Sequence, residues 1–280
     1  MARPIGIHLS YWQREWTDDL LPLIGLAKDA GFDGAEFPLL MPNELDFVSL
    51  RQALDDHGMR ATCGTGLNPS VDITSPDKSV RDAGMAFLRA CLAGTAVLGS
   101  PGLGGVTYVP WGQFYHDDFA ARRSQCIHSL REVGKMAADL GVLLFLEVLN
   151  RFEGNLLNTV EQGLALLAEV DHPAIKLHLD TFHMHIEEDN MATAIRAAGD
   201  QLGHFHCVAN NRKPPGMGQI DWTAVKSALD DINYQGWLVM ESFLQPNCEV
   251  GDALFIWRQL HDKLNADAQA GADFMRSRVA

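Results

Sequence analysis

The strongest constraint on the fold of this chain is an alternation, carried from end to end, between short β-rich runs and amphipathic segments. The runs are IGIHL (5–9), GAEF (34–37), RATCG (60–64), GGVTYV (104–109), VLLFLEV (142–148), AIKLHLD (174–180), GHFHCV (203–208) and WLVMES (237–242). Between them apolar residues recur near i, i+3, i+4 and i+7, the period of a helix with one buried face. Residues 18–31, 158–171 and 221–232 are clear cases, and Asn158 or Thr159 is placed to cap the second of these. Gly31, Gly58, Gly99, Gly141 and Gly236 follow such segments, as expected of the left-handed residue that ends many helices. Eight strand–helix units without a break in composition predict a single (β/α)₈ TIM barrel over residues 1–280. A C-terminal helical segment, about 251–280, is expected to pack on the barrel or extend from it. An open, doubly wound sheet is the rival architecture. Its dinucleotide fingerprint is missing, because GSPGLGG (99–105) would need glycine at 107, where Thr107 stands.

Charge narrows the function classes. With 36 acidic against 22 basic residues the net charge is -14, and no Lys/Arg run offers a phosphate backbone a landing site. Nucleic acid is therefore not an expected partner. Five scattered cysteines (Cys63, Cys91, Cys126, Cys207, Cys248) form no Cys-x-x-Cys pair, which excludes the usual structural zinc and redox motifs. The amino terminus lacks the pattern of a signal peptide, and no run of ~18 apolar residues offers a membrane span. A cytoplasmic enzyme with no membrane partner is the expectation.

In barrels of this kind the chemistry sits at the carboxyl ends of the strands. The last four strands each deliver a metal-ligand type there: Glu147, Asp180, His206 and Glu241. Four such groups facing one cavity would be costly without a cation. Three carboxylates and one imidazole suit Mn²⁺, Co²⁺ or Mg²⁺ better than a structural zinc. His178 and His204 precede ligands by two positions and so share their inward face, deeper in the barrel, where hydrogen-bonded core histidines are expected. His185, Glu187 and Glu188 are expected in a loop and at the start of the following helix, where acidic side chains suit the dipole.

The segments LEVLNRFE (146–153), LDTFHMHIEED (179–189), HFHCVANNR (204–212), GQIDW (218–222) and VMESF (239–243) resemble the ketose 3-epimerase family of xylose-isomerase-like barrels. The likeness also takes in YWQREW (11–16), GFDGAEF (31–37), SPDK (75–78) and GVTYVPW (105–111), so it spans essentially the whole chain. The resemblance implies metal-dependent epimerisation of a free ketose at carbon 3. Candidate pairs are D-fructose/D-allulose, D-tagatose/D-sorbose or a ketopentose. It implies that Glu147 and Glu241 are both metal ligands and the two acid/base groups, on opposite faces of the substrate. It also implies that Glu153, His183 and Arg212 hold the carbonyl end of the sugar, that Trp111 and Phe243 wall the pocket, and that the enzyme is a homodimer or homotetramer. His8, at the mouth of the first strand, departs from the Tyr or other bulky group of several members and should lie near the far end of the sugar. Two readings compete. A hydroxypyruvate or inosose isomerase would share the ligands but need other substrate groups. An abasic-site nuclease would need more histidines, whereas strands two to four offer only Glu36.

Overall fold

Every β-rich run becomes a strand, and the strands pair in sequence order, all parallel, until the last closes on the first. The computed structural model describes residues 2–280. Its first half runs β1 (Ile5–His8), α1 (Leu21–Asp29), β2 (Gly34–Pro38), α2 (Phe47–His57), β3 (Arg60–Leu67), α3 (Lys78–Leu98), β4 (Gly102–Pro110) and α4 (Phe119–Asp139). Next come β5 (Leu143–Glu147), α5 (Val160–Val170), β6 (Ile175–Asp180), α6 (Thr181–Glu187), α7 (Met191–Ala198) and β7 (Leu202–His206). The chain ends with α8 (Trp222–Asp231), β8 (Leu238–Met240), α9 (Glu249–Ala253) and α10 (Leu264–Arg278). The fold is a closed (β/α)₈ barrel, with Gly6 opposite Val239 at the seam. No helix among the described residues is long and apolar enough to cross a membrane.

Local chemistry sets the helix starts. Asp46 and Asp77 accept backbone N–H bonds at the first turns of α2 and α3. Thr159 caps α5 by accepting from Gln162 N, and the Gln162 side chain reaches back to Asn158 N at 2.8 Å. The two bonds satisfy donors that a helix start otherwise leaves orphaned. Gly58 and Gly99 are the left-handed caps of α2 and α3, and Gly31 and Gly141 also have positive φ. Gly236 does not act this way. After α8 the left-handed residue is Asn233 (φ 51°), and Gly236 makes room for the Tyr234 ring.

His185, Glu187 and Glu188 also depart from expectation. A helix, α6, begins directly after β6, so these residues fall at its C-terminal end. Glu187 pairs there with Arg151, and Glu188 accepts from Val160 N at the start of α5. The favourable dipole is thus that of a different helix.

The C-terminal segment divides in two. Ala253 and Leu254 reach the cavity at the carboxyl end of the barrel. α10 buries Ala268, Ala272 and Met275 beside α1, α8 and the β8–β1 seam.

One backbone position ties the sheet to the site. Gly105 in β4 has φ +99°, and a Cβ there would lie 2.1 Å from the Thr65 carbonyl oxygen on β3. Its N–H donates to His178 Nδ1 at 3.3 Å, just below the cluster of candidate ligands. Gly105→Ala is expected to cost about 1–3 kcal/mol, from backbone strain together with the clash. Thermal unfolding of the variant checks this; an unchanged Tm would refute it.

Candidate active site

The strand register, more than any loop, assembles the site. Glu147, Asp180 and His206 are the last residues of β5, β6 and β7, and Glu241 follows β8 by one. Asp180 stands opposite His206 in the β6–β7 pairing, and Glu147 opposite His178 in β5–β6. Ligand atoms of Glu147, Asp180, His206 and Glu241 all lie within 4.8 Å of one another. His206 Nδ1 is 3.6 Å from Glu241 Oε2 and 3.8 Å from Asp180 Oδ2.

Three carboxylates packed this closely, away from water, repel one another. Burial and the neighbouring Glu241 and Asp180 charges push the Glu147 carboxyl well above its usual range. Burial works the same way on Glu241, but adjacent His206 overrides it and holds that carboxyl down at about 2. Burial alone would lower His206, yet Glu36 and Glu241 raise it well above the usual imidazole value. Asp180 Oδ2 and His206 Nδ1 are buried without a hydrogen-bond partner. Two unpartnered ligand atoms among mutually repelling carboxylates are what a divalent cation would satisfy, by taking the place of the proton that the acidic neighbours otherwise hold on His206, so the donor set fits one.

Around the cluster lies a cavity of about 360 Å³, large enough for a monosaccharide. His8, Trp111, Glu153, His183, Arg212 and Phe243 all line it. Glu153 is engaged on both oxygens. Oε1 accepts from Asn150 Nδ2 at 2.9 Å and Arg212 Nη2 at 3.4 Å, and Oε2 accepts from Trp111 Nε1 at 2.9 Å. Burial opposes its charge, but His183 and Arg212 hold Glu153 ionised below its usual range. His183 Nδ1 accepts from Asn150 N and Nδ2, which leaves the ring proton on Nε2, 3.6 Å from Glu147 Oε1.

Arg212 sits in left-handed backbone (φ 63°), with its guanidinium 3.9 Å over the Phe182 ring. From there it reaches Glu241 at 3.2 Å and Asp180 at 3.7 Å. His8 is buried edge-on to His206 and Phe243. His204 lies deeper, with Nε2 donating to Glu36 Oε2 at 2.7 Å, whereas His178 accepts from Gly105 N and also lines the cavity, 3.9 Å from Glu147 Oε2. Within NRFE only Asn150 and Glu153 turn inward. Arg151 pairs with Glu187 outside, and Phe152 is 70% exposed. The GQIDW segment is structural: Gln219 N donates to Asn210 Oδ1, and Asp221 caps α8.

Three further contributors lie within the segments YWQREW, LEVLNRFE and GFDGAEF, where periodicity and spacing assign them no role. Trp16 lines the cavity while Trp12 turns away to Asn265. Asn150 orients both His183 and Glu153. Glu36 accepts from His204 and His206 together.

Comparison with known proteins follows the same lines. The sequence model of the xylose isomerase-like TIM barrel family matches residues 24–278. A D-psicose 3-epimerase of Agrobacterium fabrum is 36% identical, over 97% of this chain and 97% of its own. An L-ribulose 3-epimerase of Methylomonas sp. is 33% identical, over 98% and 96%. The crystal structure of a D-psicose 3-epimerase in the presence of D-fructose superposes with a TM-score of 0.95 at 36% identity, covering 99% of each chain.

Proposed function

The chain belongs to the xylose isomerase-like TIM barrel family and, within it, to the ketose 3-epimerases, and we propose that it epimerises a free ketose at carbon 3 with the aid of a divalent ion. The observation that carries this reading is the convergence of Glu147, Asp180, His206 and Glu241 on one point at the cavity floor. D-Fructose with D-psicose (D-allulose), D-tagatose with D-sorbose, and the ketopentose ribulose are the substrates to try first. The relatives named D-psicose and L-ribulose 3-epimerase support that choice.

Carbon 3 is adjacent to the ketose carbonyl, so its proton is acidic enough to remove once charge on the oxygen is stabilised. Mn²⁺, Co²⁺ or Mg²⁺ held by the four residues would supply that Lewis acidity. Glu147 and Glu241 flank Asp180 and His206 in strand order, which suits one carboxylate on each face of the sugar. One removes the proton to give the enediolate, and the other returns a proton from the opposite side. Arg212 and the His183 Nε2–H face the carbonyl end, where negative charge grows. Glu153 is already bonded by three donors, so its task here is to hold Arg212 and Trp111 as much as to meet the sugar. Trp16, Trp111 and Phe243 provide flat apolar walls for the C–H faces of the substrate.

Incubation of D-fructose with enzyme and Mn²⁺ in heavy water should yield D-psicose labelled at carbon 3. Turnover of hydroxypyruvate alone, or tight binding to abasic DNA, would overturn the assignment in favour of another reaction. Arg212→Lys keeps the charge but loses the planar fork that spans Glu153 and Glu241. It is expected to lower kcat/KM about ten- to a hundredfold, the worth of one or two charged hydrogen bonds. Steady-state kinetics within twofold of wild type would remove Arg212 from the mechanism.

A further inference from the structure

Glu36 lies on β2, across the barrel from the strands that carry the cluster, and its side chain is fully buried. Each of its oxygens is taken by a different ring. Oε1 accepts from His206 Nε2 at 2.6 Å, and Oε2 accepts from His204 Nε2 at 2.7 Å. The Nε2 proton of His206 is committed to Glu36, so an ion that displaces the other ring proton finds the lone pair on Nδ1. In His206 that Nδ1 is the buried, unpartnered atom between Asp180 Oδ2 and Glu241 Oε2.

From this arrangement we propose that Glu36 is a positioning residue for the metal site. Its carboxylate fixes the ring plane of His206 and keeps the proton on Nε2, so that Nδ1 presents its lone pair to the ion. The proposal rests on the metal reading given above. A ligating histidine whose other nitrogen is bonded to a carboxylate holds its metal more tightly, and loss of that partner commonly costs about 10–100-fold in affinity. His204 has a different part. It occupies the second oxygen, so the carboxylate cannot rotate away from His206.

Two substitutions separate orientation from charge. Glu36→Leu removes both the charge and the acceptor. Glu36→Gln removes the charge but keeps one carbonyl oxygen, which can still accept from His206 if the amide nitrogen turns toward His204 and that ring moves its proton to Nδ1 so that Nε2 accepts. Titration calorimetry with Mn²⁺ should show affinity about 10–100-fold weaker in Glu36→Leu, with Glu36→Gln recovering most of the loss. Neutron diffraction from Mn²⁺-loaded wild-type crystals should place deuterium on His206 Nε2 and none on Nδ1.

Deuterium on Nδ1 would overturn the proposal, as would Glu36→Leu binding within about twofold of wild type, or Glu36→Gln binding no better than Glu36→Leu. If Glu36→Leu does not fold, Glu36→Asp, whose shorter carboxylate cannot reach both rings, should show the same weakening, and binding within about twofold of wild type would overturn the proposal. A wild-type protein that binds no Mn²⁺ would refute the metal reading itself, a result distinct from any behaviour of the variants.

Discussion

Glu147→Gln and Glu241→Gln should each abolish net epimerisation, with kcat down about 10²–10⁴-fold, the usual worth of a positioned acid or base. The amide retains an oxygen that can still face the ion, yet it can neither take nor deliver a proton at carbon 3. If the two carboxylates serve opposite faces, the variants should also differ from each other in heavy water. Removing one carboxylate leaves the other able to take the proton from one epimer and return solvent deuterium to the same face. Each variant should therefore exchange the carbon 3 proton of one epimer without converting it. Glu147→Gln and Glu241→Gln should retain that exchange in opposite epimers. Proton NMR of both sugars against both variants reads the pattern directly. Exchange retained in the same epimer by both variants would mean that the two carboxylates do not divide the faces between them. Full activity in either would exclude that glutamate.

How much of this was legible follows from the range over which each feature is encoded. The strands and all four ligands are local: Glu147, Asp180 and His206 end their strands, Glu241 follows its strand by one, and the barrel repeat says which end of a strand is catalytic. Arg212, His183 and Glu153 came from the motifs around those ends rather than from periodicity, and the structure brings all three to the cavity wall.

From the sequence Glu36 is only an acid on strand two. Its partners are 168 and 170 residues away, and nothing local distinguishes it from any buried carboxylate. The place of Trp16 is hidden for a similar reason. It enters the cavity because the loop after β1 is tied to the start of α9, with Trp16 N donating to Glu249 and Val250 N to the Arg14 carbonyl. α6 leaves no trace in the sequence because seven residues are too few to show a helical period, and its cap is Asp180 itself. That double use explains the LDTFH segment. One oxygen of Asp180 accepts from Phe182 N at 2.6 Å, leaving the other directed at His206 and Arg212.

Stripping divalent ions with EDTA should abolish activity, lower Tm and make both recoverable with Mn²⁺. The cluster is where the effect originates. Without a cation, Glu147 is forced well above its usual range by burial and by Glu241 and Asp180. A group whose folded-state pKa is raised contributes stability below its unfolded value, and that contribution is lost as pH rises through the folded value. The metal-free protein should thus weaken as pH climbs above the ordinary carboxylate range. Glu241, held at about 2, works in the opposite sense, but its contribution is lost only as pH falls toward that value.

A bound ion removes the Glu147 penalty, because it competes with the proton for the same oxygens. Mn²⁺ at about a hundred times its Kd should add about 2.7 kcal/mol, worth roughly 5–10 °C in a chain of this size. The gain should be larger near pH 8 than near pH 5, since metal affinity rises as protons leave the ligands. Thermal scans of chelated and Mn²⁺-loaded protein at the two pH values test the sign as well as the size. A chelated, metal-free protein that keeps its activity and its Tm would leave the convergence of the four side chains without a cation to explain it.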